Sequence, residues 1–448
     1  MISDFKKDFK CEVIAPGDHE YDAARTVFFG GIDKHPALIV RVQDKDDIKK
    51  AIQLAQNKNL EIAVRSGGHS YAGYSTTEGG IVIDLRNLRG LDIDTKEKTA
   101  WAQTGLTAGE YTQNSDKLGF VTGFGDTSSV GIGGITLCGG IGFLVRKYGL
   151  TIDNLLSAEI TTADGRFLKV DRENHPDLFW AIKGGGGNFG VVSRLKFRLH
   201  NIDKVTGGIL ILPATPEVIE GFAKEAEIAQ NELSAIMNIM PAPPMPFVPE
   251  IYHGKLIIMA LMLYVGDLKK ADKVFATFRK LSKPIADQIR PMRYPEMFFP
   301  DDKSYHPLAV SETMFMKNID VKISDLIIER LNSSDASMRV VQLRVLGGAY
   351  SEIPDDATAF AHRKSKILAN IASFYEGPAD REKRLSWVKD LSLKLFQGDA
   401  GKYCAFMGAE KELEVRKAYP GDTWNRLQEV KKRYDPENIF HLNQNVLL

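Results

Sequence analysis

Glycine is crowded into three short stretches in the first half of this chain: Gly67–Gly68, Gly131 to Gly142, and Gly184 to Gly187. Glycine opens backbone angles closed to other residues and lets a ligand come close to the main chain. Three such stretches suggest a long ligand lying against backbone. The first holds a single histidine on a tight turn, Arg65-Ser66-Gly67-Gly68-His69-Ser70, directly after a strand at Glu61–Val64. Ser70, Gly73, Tyr74 and Ser75 follow, all small or polar. Taken alone, His69 reads as a surface loop residue; the other two stretches shift the balance toward a site.

The second stretch, Ser129-Val-Gly-Ile-Gly-Gly-Ile-Thr-Leu-Cys-Gly-Gly-Ile-Gly-Phe, can start a helix. So many glycines are costly in a purely structural helix. Their expected use is to let amides face a phosphate-bearing group. The spacing is not that of the dinucleotide fingerprint of a Rossmann fold.

A chain of 448 residues argues for two or three domains. Formal charge is zero, so nothing points to nucleic acid or an acidic membrane surface. No apolar run is long enough for a membrane span. Met1 to Phe9 shows no apolar core of signal-peptide length, which makes cytoplasmic synthesis and folding the expectation. Cys11, Cys138 and Cys404 form neither a disulfide framework nor a metal set, and the histidines do not cluster at ligand spacing. His-Glu-x-x-His, P-loop and Gly-x-Ser-x-Gly motifs are missing, which excludes zinc hydrolases, P-loop nucleotidases and serine hydrolases of the elbow type.

Periodicity predicts strands at 37–42, 61–65 and 81–85 around a helix at 44–58, an α+β layer unit. A strand at 98–104 precedes a helix at 107–118, with Thr107 and Glu110 as a capping box. A hairpin at 156–170, a helix at 175–183 and a long strand at 190–199 close a first region near residue 204. Beyond it the reading gives a loop starting at Met240, strands at 256–265 and 339–346, and helices at 268–281, 357–374 and 381–396. This suits an antiparallel sheet with helices on one face. A last helix, 424–434, stops at Pro436 and leaves an apolar tail with Asn443, Gln444 and Asn445.

Taken in order, these stretches resemble the flavin-linked oxidoreductases of the berberine-bridge-enzyme type. That group shares the vanillyl-alcohol-oxidase fold and includes bacterial 6-hydroxynicotine oxidases and oligosaccharide oxidases. The matching motifs include Val64 to Tyr74, Val130-Gly-Ile-Gly-Gly, Arg146-Lys-Tyr-Gly-Leu, Asp153-Asn154, Gly184 to Val192, His362-Arg363, Tyr419-Pro-Gly-Asp and Tyr434 to Phe440. The resemblance implies a two-subdomain FAD-binding domain of the PCMH type at 1–204. A substrate domain at 205–422 follows, its antiparallel sheet covered by helices, and 423–448 returns to the first domain.

The same resemblance implies FAD attached through His69 to the flavin 8α-methyl. Expected cofactor contacts are Arg65, Ser66, Gly67, Gly68, Ser70, Gly73, Tyr74, Asp126, Thr127, Val130, Gly131, Gly134, Cys138, Gly139, Gly140, Gly142, Val192 and Asn443. Some members add a second bond from a cysteine where this chain has Thr127, so a single link is expected. Val130 stands at a position that gates oxygen in the family, and valine there favours an oxidase making peroxide. Catalysis needs a base for an O–H or N–H proton while hydride passes to flavin N5. Tyr148 and Tyr403 match family tyrosines near the substrate, although the Tyr-x-Asn pattern reads Tyr403-Cys404-Ala405 here. For each of them a buried ring with a satisfied hydroxyl is the competing reading. The implied partners are a small molecule and molecular oxygen. The implied activity is oxidation of a carbon bearing a hydroxyl or amine, in a sugar, alcohol or cyclic amine. The alternatives are a dehydrogenase of the same fold, or a spore-coat protein that keeps the flavin fold.

Overall fold

Leu38–Arg41 and Ile62–Arg65 both pair parallel with Ile81–Asp84, and Glu12–Ile14 adds antiparallel to the edge at Leu38–Arg41. The computed structural model describes residues 5–7 and 9–448; residues 1–4 and 8, part of the N-terminal stretch read above, lie outside it. The helix Lys45–Lys58 joins the first two parallel strands. Asp44 caps it by accepting from the amides of Asp46 and Asp47, and Asn59 ends it in the left-handed region. Its face Ile48, Ala51, Ile52 and Ala55 is buried against Leu38, Val40, Ile81 and Ile83.

A second sheet is antiparallel, in the order Leu91–Asp94, Thr99–Gln103, Val191–Arg198, Leu155–Thr161, Phe167–Val170. Thr107 and Glu110 form the expected capping box at the head of the helix Ala108–Asp116. Trp424, Leu427 and Val430 of the C-terminal helix Asp422–Tyr434 join the core of this second sheet. The end of the chain therefore packs with its first half.

The third sheet spans residues 205–374. Its main path runs Ala286–Asp287, Val205–Pro213, Leu256–Tyr264, Leu233–Pro241, Arg339–Val345, Ile367–Phe374, Ala309–Met316, all antiparallel. The helices Pro216–Ile228, Leu268–Arg279, Val321–Ser333 and Pro378–Leu395 bury Phe222, Phe275, Ile327 and Leu391 on Met237, Ile239, Leu343 and Ile371. Strand alternation turns Ile236, Asn238, Gln342, Arg344 and Asn370 to the opposite face. That face looks toward the first half of the chain: Ile236 packs with Phe143 and Leu144, and Leu368 with Ile141 and Val145.

Two expectations fail here. Residues 357–374 are not a helix: Ile367–Phe374 is an interior strand, with 357–366 leading into it. Seven of its eight residues are buried, and a strand covered on both faces shows no alternation to distinguish it from a buried helix. Met240 and Pro241 likewise belong to the strand Leu233–Pro241 rather than to a loop.

Long-range polar contacts lock the third sheet onto the first half. Arg363, 1% exposed, makes two 2.8 Å bonds to the carboxylate of Asp153. Arg146 donates to the carbonyls of Leu346 and Ala229, 2.6 Å each.

Candidate functional site

The His69 loop and the loop before the helix Ile132–Leu137 lie back to back. A Cβ on Gly67 would strike the backbone of Gly131, and a Cβ on Gly131 would strike Gly67 and the Ser66 hydroxyl. Ser66 bolts the loops together, donating to the Thr104 carbonyl at 2.5 Å and accepting from the Gly133 amide at 3.3 Å. Gly68 holds φ +77, which lets the chain turn directly before His69. Among the described residues, the amides of Gly67, Gly68, His69 and Ser70 have no protein acceptor. Gly134, one turn into the helix, has nothing within 4 Å of where a Cβ would stand. These free amides and that open face form a cradle for a group rich in acceptors.

His69 is stacked on Phe28 at 4.1 Å between ring centroids. Burial pushes its pKa down to about 4, against opposing contributions from Asp301 and a hydrogen bond to the Ser129 backbone. The ring is therefore neutral at physiological pH, with a nitrogen lone pair available as a nucleophile. Asp301 reaches the same loops and accepts from Ser128 at 2.5 Å.

Several expected cofactor contacts take other work in the fold. Arg65 spends its guanidinium on the carbonyls of Ser75, Ala24 and Arg25, so it holds the loop rather than a phosphate. Ser70 accepts from the Tyr74 amide, and the Gly73 amide donates back to the Ser70 carbonyl, closing the turn after His69. Tyr74 itself is half-buried against Glu410. The later glycines of the second stretch serve chain-on-chain packing. Side chains there would run into Phe360 from Gly139, Thr151 from Gly140 and the Phe124 carbonyl from Gly142. Val192 belongs to the core behind the loops. The Cys138 carbonyl accepts from the Cys404 thiol at 3.5 Å. Thr127 donates to Asp126, and the Val130 carbonyl accepts from the Ala108 amide.

The two tyrosines are not prepared as bases. The Tyr403 hydroxyl, fully buried, accepts from the amides of Gly140 and Ile141 at 3.2 and 3.3 Å, and burial drives its pKa far up. Tyr148 stacks on His200 at 3.9 Å, and burial raises its phenol too. Both phenols are shifted upward, and the Lys147 ammonium, 5.5 Å from the Tyr148 ring centroid, does not reverse this, so their pKa moves the wrong way for proton abstraction near neutrality.

The C-terminal tail reaches the same region through contacts the sequence did not reveal. Asn188, at the end of the third glycine stretch, donates to the Gln444 carbonyl and accepts from the Val446 amide. Lys431, with no exposed surface, bonds Asp435 at 2.7 Å and the carbonyls of Asn188 and Phe440 at 2.8 and 2.9 Å. So fixed, Asn443 Oδ1, Gln444 Oε1 and Asn445 Oδ1 are buried without a protein donor. The i, i+4 spacing of Lys431 and Asp435 was the readable signal.

FAD fits these groups. Its pyrophosphate offers acceptors for the loop amides, and its imide N–H and ribityl hydroxyls offer donors for the tail carbonyls. A family model described as an FAD binding domain matches residues 36–171, and one described as berberine and berberine like matches 393–447. The (R)-6-hydroxynicotine oxidase of Paenarthrobacter nicotinovorans is 30% identical over 453 residues, covering 97% of this chain and 96% of that protein. The chain belongs to the berberine-bridge-enzyme-like family of FAD-linked oxidoreductases. Another member, an uncharacterised FAD-linked oxidoreductase of Bacillus subtilis, is 28% identical across 97% of this chain and 96% of its own length. The crystal structure of 6-hydroxy-D-nicotine oxidase from Arthrobacter nicotinovorans superimposes with a TM-score of 0.84 at 26% identity, covering 98% of both chains. A chitooligosaccharide oxidase shares the fold at 20% identity, with a TM-score of 0.84 and 99% of both chains covered. The family's α+β architecture, a PCMH-type FAD domain beside an antiparallel sheet backed by helices, is the one described above.

Proposed function

We propose that this family member is an oxidase. It takes hydride from a carbon bearing a hydroxyl or amine, carries FAD on a single bond to His69, and passes electrons to oxygen with release of hydrogen peroxide. The observation that carries the reading is His69 itself: a buried, neutral imidazole held on a loop whose amides are free. When bound, FAD supplies the two-electron acceptor. The chain's residues do the rest. Phe28 and the Ser129 backbone hold the His69 ring, and the Gly67–Ser70 amides and the Asn443–Asn445 carbonyls grip the cofactor at two ends. The inward face of the third sheet closes the substrate side. Thr127, which offers no thiol, supports one covalent link rather than two. Val130 supports oxygen as the acceptor. Catalysis by the 6-hydroxynicotine and oligosaccharide oxidases named above supports a small organic substrate.

Intact mass of the denatured protein tests the link. An FAD-sized increment is expected in the wild type and in Cys138→Ala, and none in His69→Ala. Yellow native protein without an increment would refute the bond to His69. Substrate turnover without peroxide would refute the oxidase assignment and leave a dehydrogenase.

A further inference from the structure

Cys138 closes the helix Ile132–Leu137 in the second glycine stretch, and Cys404 lies 266 residues further along the chain. The fold brings the two together. The Cys404 thiol donates to the Cys138 carbonyl at 3.5 Å, lies 3.8 Å from the Gly184 carbonyl, and is in hydrogen-bonding contact with the Cys138 thiol. Their segments are pinned to one another next door, where the Tyr403 hydroxyl takes the amides of Gly140 and Ile141. Both thiols are free. Cys404 is buried, whereas Cys138 keeps part of its surface open. Tyr419 packs in the same cluster, in electrostatic reach of both sulfurs, and its buried hydroxyl has no protein partner. Phe406, two residues beyond Cys404, meets the Tyr71 ring at 6.1 Å between centroids, and Tyr71 is two residues beyond His69. The thiol pair therefore stands beside the loops that hold the cofactor.

We infer that Cys138 and Cys404 form a redox dithiol that hydrogen peroxide closes to a disulfide, with the Tyr419 hydroxyl as donor to the transferred oxygen. Cys138 reacts first, because its sulfur is the one that can be reached. Its thiolate attacks one peroxide oxygen: the S–O bond forms, the O–O bond breaks, and the departing hydroxide takes up the Cys138 proton as water. Burial and the neighbouring thiol push the Cys404 thiol well above its usual range, which suits it to resolve rather than to attack peroxide. It attacks the sulfenic sulfur. The S–S bond forms, the S–O bond breaks, and hydroxide leaves with the Cys404 proton as a second water. Two thiols and one peroxide give one disulfide and two waters, and the two electrons pass from sulfur to peroxide. Tyr419 can donate to the sulfenic oxygen and to the hydroxide that departs from it, and no protein group competes for its proton. Cys11 lacks this arrangement: it sits in a different core cluster, and burial with Asp47 pushes its thiol up to about 12. Peroxide is also the product proposed above, so the pair would register turnover close to its source.

The test uses full-length protein with its flavin, reduced with dithiothreitol and then freed of it. Hydrogen peroxide is added directly, so the result does not depend on the oxidase assignment. Free thiols, intact mass and a non-reducing peptide map are read. Two of the three thiols are expected to disappear together, with loss of the mass of two hydrogens. The Cys138 and Cys404 peptides then form one linked species that dithiothreitol separates, and Cys11 stays free. In Cys404→Ala, dimedone labels Cys138; in Cys138→Ala, Cys404 remains a thiol. Tyr419→Phe has no protein hydrogen bond to lose and slows disulfide formation about tenfold. Three remaining thiols under conditions that fully oxidise glutathione overturn the pair, and so does Cys138 driven to sulfinic acid without a link. Disulfide formation at the wild-type rate in Tyr419→Phe overturns the role of its hydroxyl.

Discussion

Lys431 is the residue whose loss the fold would register most locally. Its ammonium has no exposed surface and all three protons are used, on Asp435, Asn188 and Phe440. Lys431→Met keeps the length and removes the charge. Breaking one partner out of a buried ion pair costs about 3–5 kcal/mol, because the other charge is stranded. Asp435 also accepts from the amides of Ile439 and Phe440, at 2.8 and 2.9 Å, which softens the loss. The lower end, about 3 kcal/mol, is therefore expected. The loss falls on local opening of the tail, since the contacts removed gather Asp435, Phe440 and Asn188 onto one point of the C-terminal helix. One order of magnitude per 1.4 kcal/mol makes the open tail about a hundredfold more populated. Hydrogen exchange resolved by residue checks this: the amides of Ile439, Phe440 and Val446 speed up about a hundredfold, while those of the parallel sheet do not. Asp435→Asn on top of Lys431→Met removes the stranded charge and recovers part of the protection. Tail amides exchanging at the wild-type rate in Lys431→Met would refute the claim that this lysine anchors the tail.

Other outcomes follow from single contacts. Gly134→Ala leaves the stability of the protein unchanged, because nothing lies within 4 Å of the added methyl, but lowers FAD content measured from the visible spectrum. Gly142→Ala does the reverse: its methyl meets the Phe124 carbonyl, and overpacking of this kind costs about 1–3 kcal/mol in denaturant unfolding. Burial, with help from Arg198 and Lys147, lowers the His200 pKa from the usual 6.5 to about 4, so the fold favours the neutral ring. Its stability contribution is complete above pH 6.5 and is lost as pH falls toward 4. Urea unfolding at pH 7 and pH 4.5 should therefore show a smaller acid loss for His200→Gln than for the wild type.

The legible part of the site was the part written in local chain geometry. A histidine directly behind two glycines, a run of glycines at a helix start and a terminal tail of amide side chains all carry their constraint within a few residues. Local constraint survives in sequence, and so the FAD-binding half and its family could be read there. What each glycine is for could not be read. Gly134 faces open space while Gly139, Gly140 and Gly142 face Phe360, Thr151 and Phe124, residues up to about 220 positions away in the chain. The choice between a base and a buried ring at Tyr403 was illegible for the same reason, since the partners of its hydroxyl lie on a loop more than 260 residues earlier. Arg344 and Asn370 sit in strands whose polar residues looked like ordinary alternation, or, at 367–374, like a helix. Only the pairing of those strands puts them on one face. Sequence alone determined the FAD-binding family and drew attention to the glycine turn that carries His69. The tertiary structure decided which polar atoms are already paired and which remain unpaired, because hydrogen-bond satisfaction depends on partners brought together from across the chain.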